Sequence, residues 1–161
     1  SPSRVVNVAS SVHQKAKIDL FDVHAPRHYS GFRAYSRSKL CNLLFTYELA
    51  RRLEGTGVTA NALHPGLVAT NILTNNGILG RFLNMLLGIR GISVEAGALT
   101  SVYAASSPEM EGVSGKYLDK KKIVRSSARS FDEAQAAALW ELSASLTGIP
   151  AETGIPSPAA S

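Results

Sequence analysis

The order strand, helix, strand constrains this sequence more than any other feature. Residues 4–10, RVVNVAS, and residues 57–66, GVTANALHPG, are short, apolar and rich in β-branched side chains, as buried strands are. Between them, residues 34–54 repeat apolar side chains at helical spacing, namely Leu40, Leu43, Leu44, Tyr47 and Leu53. A helix that joins two strands in this way makes the strands parallel, so the sequence predicts a βαβ unit in an α/β fold.

The segments that follow extend this pattern. Residues 93–106 are predicted to form a helix, and its apolar stripe is expected to consist of Leu99, Val102 and Tyr103. Residues 112–119, GVSGKYLD, are predicted to form a short strand, and the polar residues 13–33 a loop.

A last helix is predicted within residues 131–146, FDEAQAAALWELSASL, with Ser130 as its cap. Trp140 lies at helical spacing in this segment and is expected in the core. The tail, residues 149–161, is rich in Pro, Ser and Ala and is predicted to be disordered.

Charge and cysteine content exclude several classes of function. The excess of basic residues is modest, 17 − 12 = +5, and its only tight cluster, residues 119–125, is expected to be a solvated surface. No basic stripe interleaved with aromatic residues is present, so no nucleic-acid partner is expected. The single cysteine, Cys41, excludes an intramolecular disulfide and is interpreted as a small buried apolar residue.

Metal and membrane sites are not indicated either. His13, His24 and His28 share a polar loop, but their spacing is not that of metal ligands. No apolar run approaches the ~20 residues of a membrane-spanning helix, and no signal peptide is visible. We therefore expect no transmembrane segment and a cytoplasmic location, with peripheral membrane attachment as the alternative.

Tyr35 and Lys39 form the most informative polar pair. Residues four apart on a helix are neighbours on one face, so an ammonium at position 39 would lie beside a phenol at position 35. An ammonium favours the phenolate, the form that can accept a proton at neutral pH. The pair alone is weak evidence because this spacing occurs often by chance.

Two further segments are predicted to end at the edge of the sheet where this pair would lie. Ser10 ends the first strand and Pro65-Gly66 ends the second, and ligands of open α/β sheets bind at the carboxyl ends of the strands. There the Ser10 hydroxyl could hold a carbonyl oxygen while Tyr35 gives or takes its proton; the alternative for Ser10 is a helix cap or turn residue. For His64 a buried, hydrogen-bonded structural role is favoured.

Five motifs in this order resemble the short-chain dehydrogenase/reductase family, and its retinol dehydrogenase-like subgroup in particular: VVNVAS, AYSRSK, VTANALHPGLVATNI, EGVSGKYL and ALWELS. The resemblance covers residues 3–148. It implies that Tyr35 is the catalytic acid and base, and that Ser10 polarises the substrate carbonyl. It also implies that Lys39 activates Tyr35 and holds the ribose hydroxyls of a nicotinamide cofactor.

The implied reaction is hydride transfer between the nicotinamide C4 and a carbinol or carbonyl carbon, coupled to proton transfer through Tyr35. The implied cofactor is NADP or NAD, and the residues that match the family's cofactor-binding positions are Tyr35, Lys39, Pro65, Gly66, Val68 and Thr70. The sequence departs from the family pattern at Ala9, where the family has the first serine of a strand-end pair. Ser11 is the fallback if Ser10 does not act.

Several parts of the family pattern are missing. No Gly-rich turn follows a strand to cradle a pyrophosphate. Residues 77–88, GILGRFLNMLLG, contain glycines, but they come after the active-site motifs and are therefore rejected as this turn. The family's active-site Asn and its NAD-selecting or NADP-selecting residue are also not found. We therefore expect the C-terminal half of a Rossmann-like doubly wound parallel sheet over residues 1–148, with the N-terminal cofactor-binding half absent and the tail at residues 149–161.

The apolar patch at residues 78–89 is the best candidate for substrate specificity. By analogy it is a flexible lid, which indicates a small lipophilic alcohol, aldehyde or ketone as substrate. Simple packing of a lid helix and superficial membrane contact are the alternatives.

Two functions follow from this sequence. The first is an NAD(P)-dependent oxidoreductase of alcohols and carbonyl compounds. The second is a non-catalytic interaction module, in which the helices at residues 34–54 and 93–106 pair with a second copy to give a homo-oligomer.

Overall fold

The computed structural model describes residues 3–20, 29–66 and 92–152. These ranges contain four strands and three α-helices, which are β1 (Ser3–Val8), α1 (Gly31–Arg52), β2 (Val58–His64), α2 (Val94–Ser106), β3 (Tyr117–Asp119), β4 (Lys122–Val124) and α3 (Glu133–Thr147). Short 3-10 helices span Ser11–Lys15, Pro108–Met110 and Ala128–Phe131. His24, His28, Val68, Thr70, the patch at 78–89 and residues 153–161 of the tail lie outside the described residues.

The strands form one sheet in the order β1-β2-β3-β4. The pairs β1-β2 and β2-β3 are parallel, as the strand, helix, strand order predicts. β4 pairs antiparallel with β3, so the basic cluster, which was expected only as a solvated surface, also adds an edge strand. Lys120 and Lys121 both have positive φ, the backbone form that a two-residue hairpin turn requires.

Helices cover both faces of the sheet. Ala62 of β2 packs with Leu43 and Tyr47 of α1, whereas the next residue, Leu63, packs with Ala104 of α2 on the other face. Alternate side chains of a strand point to opposite faces, so a strand between two helical layers is apolar at successive positions. The chain is therefore a mixed α/β structure consistent with part of a Rossmann-like fold, as the sequence predicts.

The apolar positions predicted for α1 are confirmed as core. Leu40, Leu43 and Leu44 are fully buried. The helix begins three residues earlier than predicted, at Gly31, and ends at Arg52, followed by Leu53 as its cap. α1 is thus anchored by large buried side chains and is a fixed support for its polar residues.

The apolar stripe predicted for α2 is wrong for two of its three residues. Leu99 and Val102 are 53% and 57% exposed, and only Tyr103 packs against the cluster around Leu63. The buried residues of α2 are instead small: Gly97, Thr100 and Ala104. Small side chains let the helix approach the sheet closely, and the larger ones are turned outward.

The cap predicted for the last helix is also wrong. The N-cap of α3 is Asp132, whose carboxylate accepts a hydrogen bond from Gln135 N at 2.9 Å. Ser130 lies buried in the preceding 3-10 helix and donates to Ser127 O. Trp140, expected in the core, is half-buried and stacks on Phe45 with ring centroids 5.3 Å apart.

The loop predicted at residues 13–33 is partly structured. The 3-10 helix Ser11–Lys15 occupies its start, and α1 takes its last residues from Gly31. The consequence for the site is that the chain after β1 turns tightly at Ser10.

Candidate active site

The carboxyl ends of β1 and β2 meet at one edge of the sheet. Val8 pairs in register with Leu63, and the ladder continues one residue further because Ala9 N donates to Leu63 O at 2.8 Å. Ser10 follows β1 at this edge, and Pro65 follows β2. The structure therefore places these predicted site residues at the same edge, which we call the rim.

The polar face of α1 is tied to the end of β1. Lys39 Nζ and Asn42 Nδ2 both donate to Val8 O, each at 3.2 Å. Lys39 Nζ also lies 5.5 Å from the centroid of the Tyr35 ring. Tyr35 and Lys39 are therefore neighbours on one helical face, as their spacing predicts, and Lys39 reaches the strand that leads to Ser10.

A second tie holds the middle of α1 against β1. Asn7 Nδ2 donates to Thr46 Oγ1 at 2.9 Å, and Thr46 Oγ1 donates to Asn42 O at 2.6 Å. Asn7 Nδ2, Asn42 Nδ2 and Thr46 Oγ1 thus each have a partner, which keeps the cost of burying these groups low. The position of Lys39 relative to β1 is thus fixed by hydrogen bonds on both sides of Asn42.

Tyr35 and Ser10 differ in accessibility. Tyr35 is 40% exposed, so a molecule from solvent can reach its hydroxyl, whereas Ser10 is largely buried. Ser10 Oγ caps the 3-10 helix Ser11–Lys15, but its contact with Val12 N is long, 3.5 Å. Ser10 is therefore a helix cap, the alternative role that the sequence left open. The cap uses only a lone pair of Oγ, so the hydroxyl proton can still be donated to a substrate. The fallback residue, Ser11, is exposed at the start of the same 3-10 helix.

Gly66 is a position at the rim where a side chain would be strained. Its φ is +89°, and a Cβ built on it would lie 2.7 Å from Ile92 Cδ1. Substitution at residue 66 would therefore strain the backbone and displace Ile92. Pro65 and Gly66 are half-buried.

His64 differs from its prediction. It is half-buried, and burial lowers its pKa, with Lys120 acting in the same direction and Asp119 opposing. Its buried Nδ1 has no hydrogen-bond partner within residues 3–20, 29–66 and 92–152. The expectation of a hydrogen-bonded histidine is wrong for this nitrogen.

Two residues of the rim were missed by sequence reasoning. Asn42 lies three positions after Lys39 and seven after Tyr35, so its helical spacing was a usable signal. His13, expected in a polar loop, is fully buried directly behind Ser10. Nothing in the local sequence indicates that burial.

An open cleft of about 610 Å³ lies at the other end of α1. It is lined by residues that include Arg51, Gly55, Val58 and Phe131. None of the predicted site residues borders it, so we do not assign it to the rim.

Metal sites and membrane spans were also sought. In the part of the chain that the structure describes, no three His, Cys, Asp or Glu side chains are grouped to hold a metal ion. None of the described helices combines the length and the apolar character needed to cross a membrane. Cys41, predicted to be buried, is only half-buried and packs against the cluster around Leu40 and Leu44. Burial raises the pKa of its thiol, which keeps it protonated.

Comparison with known proteins gives clear relatives, although no protein-family model matches the sequence. The chain is 42% identical over 159 residues to retinol dehydrogenase 14 of Homo sapiens, an alignment that covers 92% of this chain and 45% of the relative. It is 43% identical over 149 residues to retinol dehydrogenase 12 of Mus musculus, covering 92% of this chain and 47% of the relative. Polyprenol dehydrogenase of Homo sapiens is 39% identical over 150 residues, covering 91% of this chain and 46% of the relative.

A solved structure is also similar. The crystal structure of an uncharacterized protein from Mycobacterium paratuberculosis superposes with a TM-score of 0.69 at 34% sequence identity, covering 97% of this chain and 53% of that one. The chain thus spans about half the length of the curated relatives and of the solved structure that it matches.

Proposed function

We propose that this chain, a relative of the retinol dehydrogenases and so of the short-chain dehydrogenase/reductase family, carries the catalytic residues of an NAD(P)-dependent oxidoreductase that interconverts an alcohol and a carbonyl compound. The observation that carries the proposal is the arrangement at the rim. Lys39 contacts both the Tyr35 ring and the backbone of Val8, two residues before Ser10.

The rim suits the nicotinamide ribose end of the cofactor. The Lys39 ammonium has three N–H donors, and the one described bond, to Val8 O, leaves donors for two ribose hydroxyls. Pro65 and Gly66 follow β2 at the same rim and are half-buried. The geometry at Lys39 supports Tyr35 and Lys39 as cofactor-binding residues, and the place of Pro65 and Gly66 at the rim supports their assignment. Val68 and Thr70 remain proposals from the sequence.

The residues of the rim divide the reaction between them. A bound nicotinamide cofactor would supply the hydride acceptor for the carbinol carbon or the hydride donor for the carbonyl carbon. Tyr35 takes the hydroxyl proton of the alcohol in oxidation and returns it to the carbonyl oxygen in reduction, and the Lys39 ammonium lies beside its ring. The Ser10 hydroxyl donates a hydrogen bond to the same substrate oxygen. The exposure of Tyr35 lets its proton exchange with solvent.

The proposed substrate is a small lipophilic alcohol or its aldehyde or ketone. The support is indirect: the names of the relatives specify retinol and polyprenol, which are apolar alcohols. The patch at 78–89, the sequence candidate for specificity, lies outside the described residues.

An assay of the full-length natural protein that carries this sequence tests the proposal. The protein is incubated with retinol or a shorter apolar alcohol and with NADP or NAD, and reduced nicotinamide is followed by its absorbance. We expect turnover with an apolar alcohol and one of the two cofactors. Absence of turnover with every combination, in a protein shown to be folded, would reject the oxidoreductase.

One observation favours the second candidate, the non-catalytic interaction module. Val94, Leu99 and Val102 of α2 all expose more than half of their surface, and outward apolar side chains are common at subunit contacts. A protein that self-associates through α2 but neither binds nicotinamide cofactors nor oxidises alcohols would support the interaction module and reject the enzyme. Light scattering, combined with a titration of NADP or NAD into the full-length natural protein, separates the two.

A further inference from the structure

His13 is a buried polar side chain that the proposed reaction does not use. It lies in the 3-10 helix Ser11–Lys15 and has no exposed surface. Its Nδ1 is 2.6 Å from Ser10 O, and its Nε2 is 3.1 Å from Ser127 N. Both ring nitrogens of this buried histidine therefore have a hydrogen-bond partner. The partner of Nδ1 is the backbone of Ser10, the residue proposed to hold the substrate oxygen.

These two partners fix the tautomer of His13. A backbone N–H can only donate, so Nε2 accepts from Ser127 and carries no proton. A backbone carbonyl can only accept, so Nδ1 carries the proton and donates it to Ser10 O. Burial lowers the pKa of His13, which favours the same neutral ring.

The anchor behind His13 is itself held by a chain of hydroxyl groups. Ser130 Oγ donates to Ser127 O at 2.6 Å, so its proton is committed. Ser126 Oγ must then donate to Ser130 Oγ across 2.7 Å, and Tyr47 OH to Ser126 Oγ across 2.6 Å. This series runs from α1 to the Ser127 segment, so His13 is attached to the same helix that carries Tyr35 and Lys39.

Ser10 needs such an anchor because the sheet does not hold it. β1 ends at Val8, and the last ladder bond is made by Ala9. Ser10 O accepts from His13 N at 3.2 Å and from His13 Nδ1 at 2.6 Å, and the imidazole contact is the shorter. The cap bond of its own hydroxyl is long.

We infer that His13 is a positioning residue for Ser10. Its Nδ1–H donates to the Ser10 carbonyl oxygen, and its ring is itself held by the bond that Nε2 accepts from Ser127 N. The Ser10 hydroxyl thereby keeps its position at the rim. The inference rests on the proposed function, in which Ser10 contacts the substrate oxygen. A displacement of about 1 Å at a reacting group can lower a rate by about a hundredfold, so the bond has a measurable consequence.

Two substitutions separate the halves of this role. In His13→Asn the side-chain amide N–H can replace Nδ1–H and bond Ser10 O, but the bond from Ser127 is lost. In His13→Gln the longer amide can replace Nε2 and accept from Ser127, but the bond to Ser10 is lost. The two variants thus match in polarity and in the number of bonds removed.

The turnover number of the full-length natural protein is measured for both variants, with cofactor binding measured in parallel. We expect His13→Gln to lower kcat by about tenfold to a hundredfold with unchanged cofactor affinity, and His13→Asn to stay within about threefold of the natural protein. In a Ser10→Ala background, His13→Gln should lower kcat no further, because the group that it positions is gone.

Equal kcat losses in the two variants, or a full additional loss from His13→Gln in the Ser10→Ala background, would overturn the inference. If a variant does not fold, the tautomer of His13 in the natural protein tests the inference instead. Long-range proton–nitrogen NMR of labelled histidine should show a proton on Nδ1. A proton on Nε2 of His13 would overturn the inference. If Tyr35→Phe inactivates the protein while His13→Gln does not, the positioning role fails and the proposed function stands.

Discussion

The helices α1 and α2 cover opposite faces of one sheet but differ in the side chains that they bury. α1 buries the large side chains Leu40, Leu43 and Leu44 completely, whereas α2 buries only small residues and turns Leu99 and Val102 outward. α1 also makes the hydrogen bonds that tie it to β1. The difference indicates that the α1 face fixes the geometry of the rim and that the α2 face does little to hold it.

Removing a large side chain from the α1 face should have the largest effect on stability. Leu44→Ala leaves a cavity among Leu40, Ala136 and Leu139, and we expect the free energy of unfolding to fall by about 3 kcal/mol. Denaturant unfolding of the natural protein and the variant measures it. A loss below about 1 kcal/mol would break the comparison, because α1 would then not be the better-packed helix.

Breaking the polar tie between α1 and β1 should cost less. Thr46→Val keeps the shape of a buried side chain but leaves Asn7 Nδ2 without its partner, so we expect a loss of about 1 to 2 kcal/mol. Denaturant unfolding gives the size of this loss. No change in stability would show that the tie to β1 does not hold α1 in place.

Acid should weaken the molecule through its histidines near the rim. The pKa values of His13 and His64 are both lowered, chiefly by burial, so the unfolded chain binds their protons more readily than the folded protein. The stability that the two neutral histidines contribute is complete above the ordinary histidine pKa of about 6.5. It is lost as pH falls from there through the lowered pKa values. For each histidine, the free energy of unfolding changes by at most about 1.4 kcal/mol per pH unit.

Unfolding curves from about one pH unit above to about 1.5 units below the ordinary histidine pKa measure this slope. His13→Asn should reduce it, because one titrating group is removed. An unchanged slope in His13→Asn would mean that His13 is not the buried neutral ring described above.

The outward side chains of α2 should contribute the smallest effect. We expect Leu99→Ala to change the free energy of unfolding by less than about 0.5 kcal/mol, as for other exposed positions. It is also the matched control for Leu44→Ala, since the same atoms are removed from the other helix. A loss similar to that of Leu44→Ala would show that Leu99 is covered in the natural protein, and the contrast between the faces would fail.

The same contrast explains what the sequence could predict. The buried positions of α1 follow from large apolar residues at helical spacing, and the structure confirms them. In α2 nearly every residue is small or apolar, so periodicity does not decide which side faces the sheet, and the choice of Leu99 and Val102 was wrong. The side of α2 that faces the sheet is decided by packing with the rest of the chain.

The contacts of the candidate site also differ in whether the sequence could predict them. The nearness of Tyr35 and Lys39 is local, since it depends on four residues of one helix, and the spacing alone predicts it. The bond between His13 and Ser127 joins residues 114 positions apart, and no local pattern indicates such a contact. The roles of Ser10, Tyr35 and Lys39 stay predictions that the geometry supports.

Replacement of Tyr35 by Phe tests the central claim most directly. In the full-length natural protein, Tyr35→Phe should lower kcat for an apolar alcohol by about a thousandfold, the range of acid–base catalysis, and leave cofactor affinity nearly unchanged. Tyr29→Phe removes the hydroxyl of an exposed tyrosine just before α1 and should behave as the natural protein. Near-normal turnover in Tyr35→Phe, or equal losses in the two variants, would contradict the assignment of Tyr35 as the catalytic acid and base.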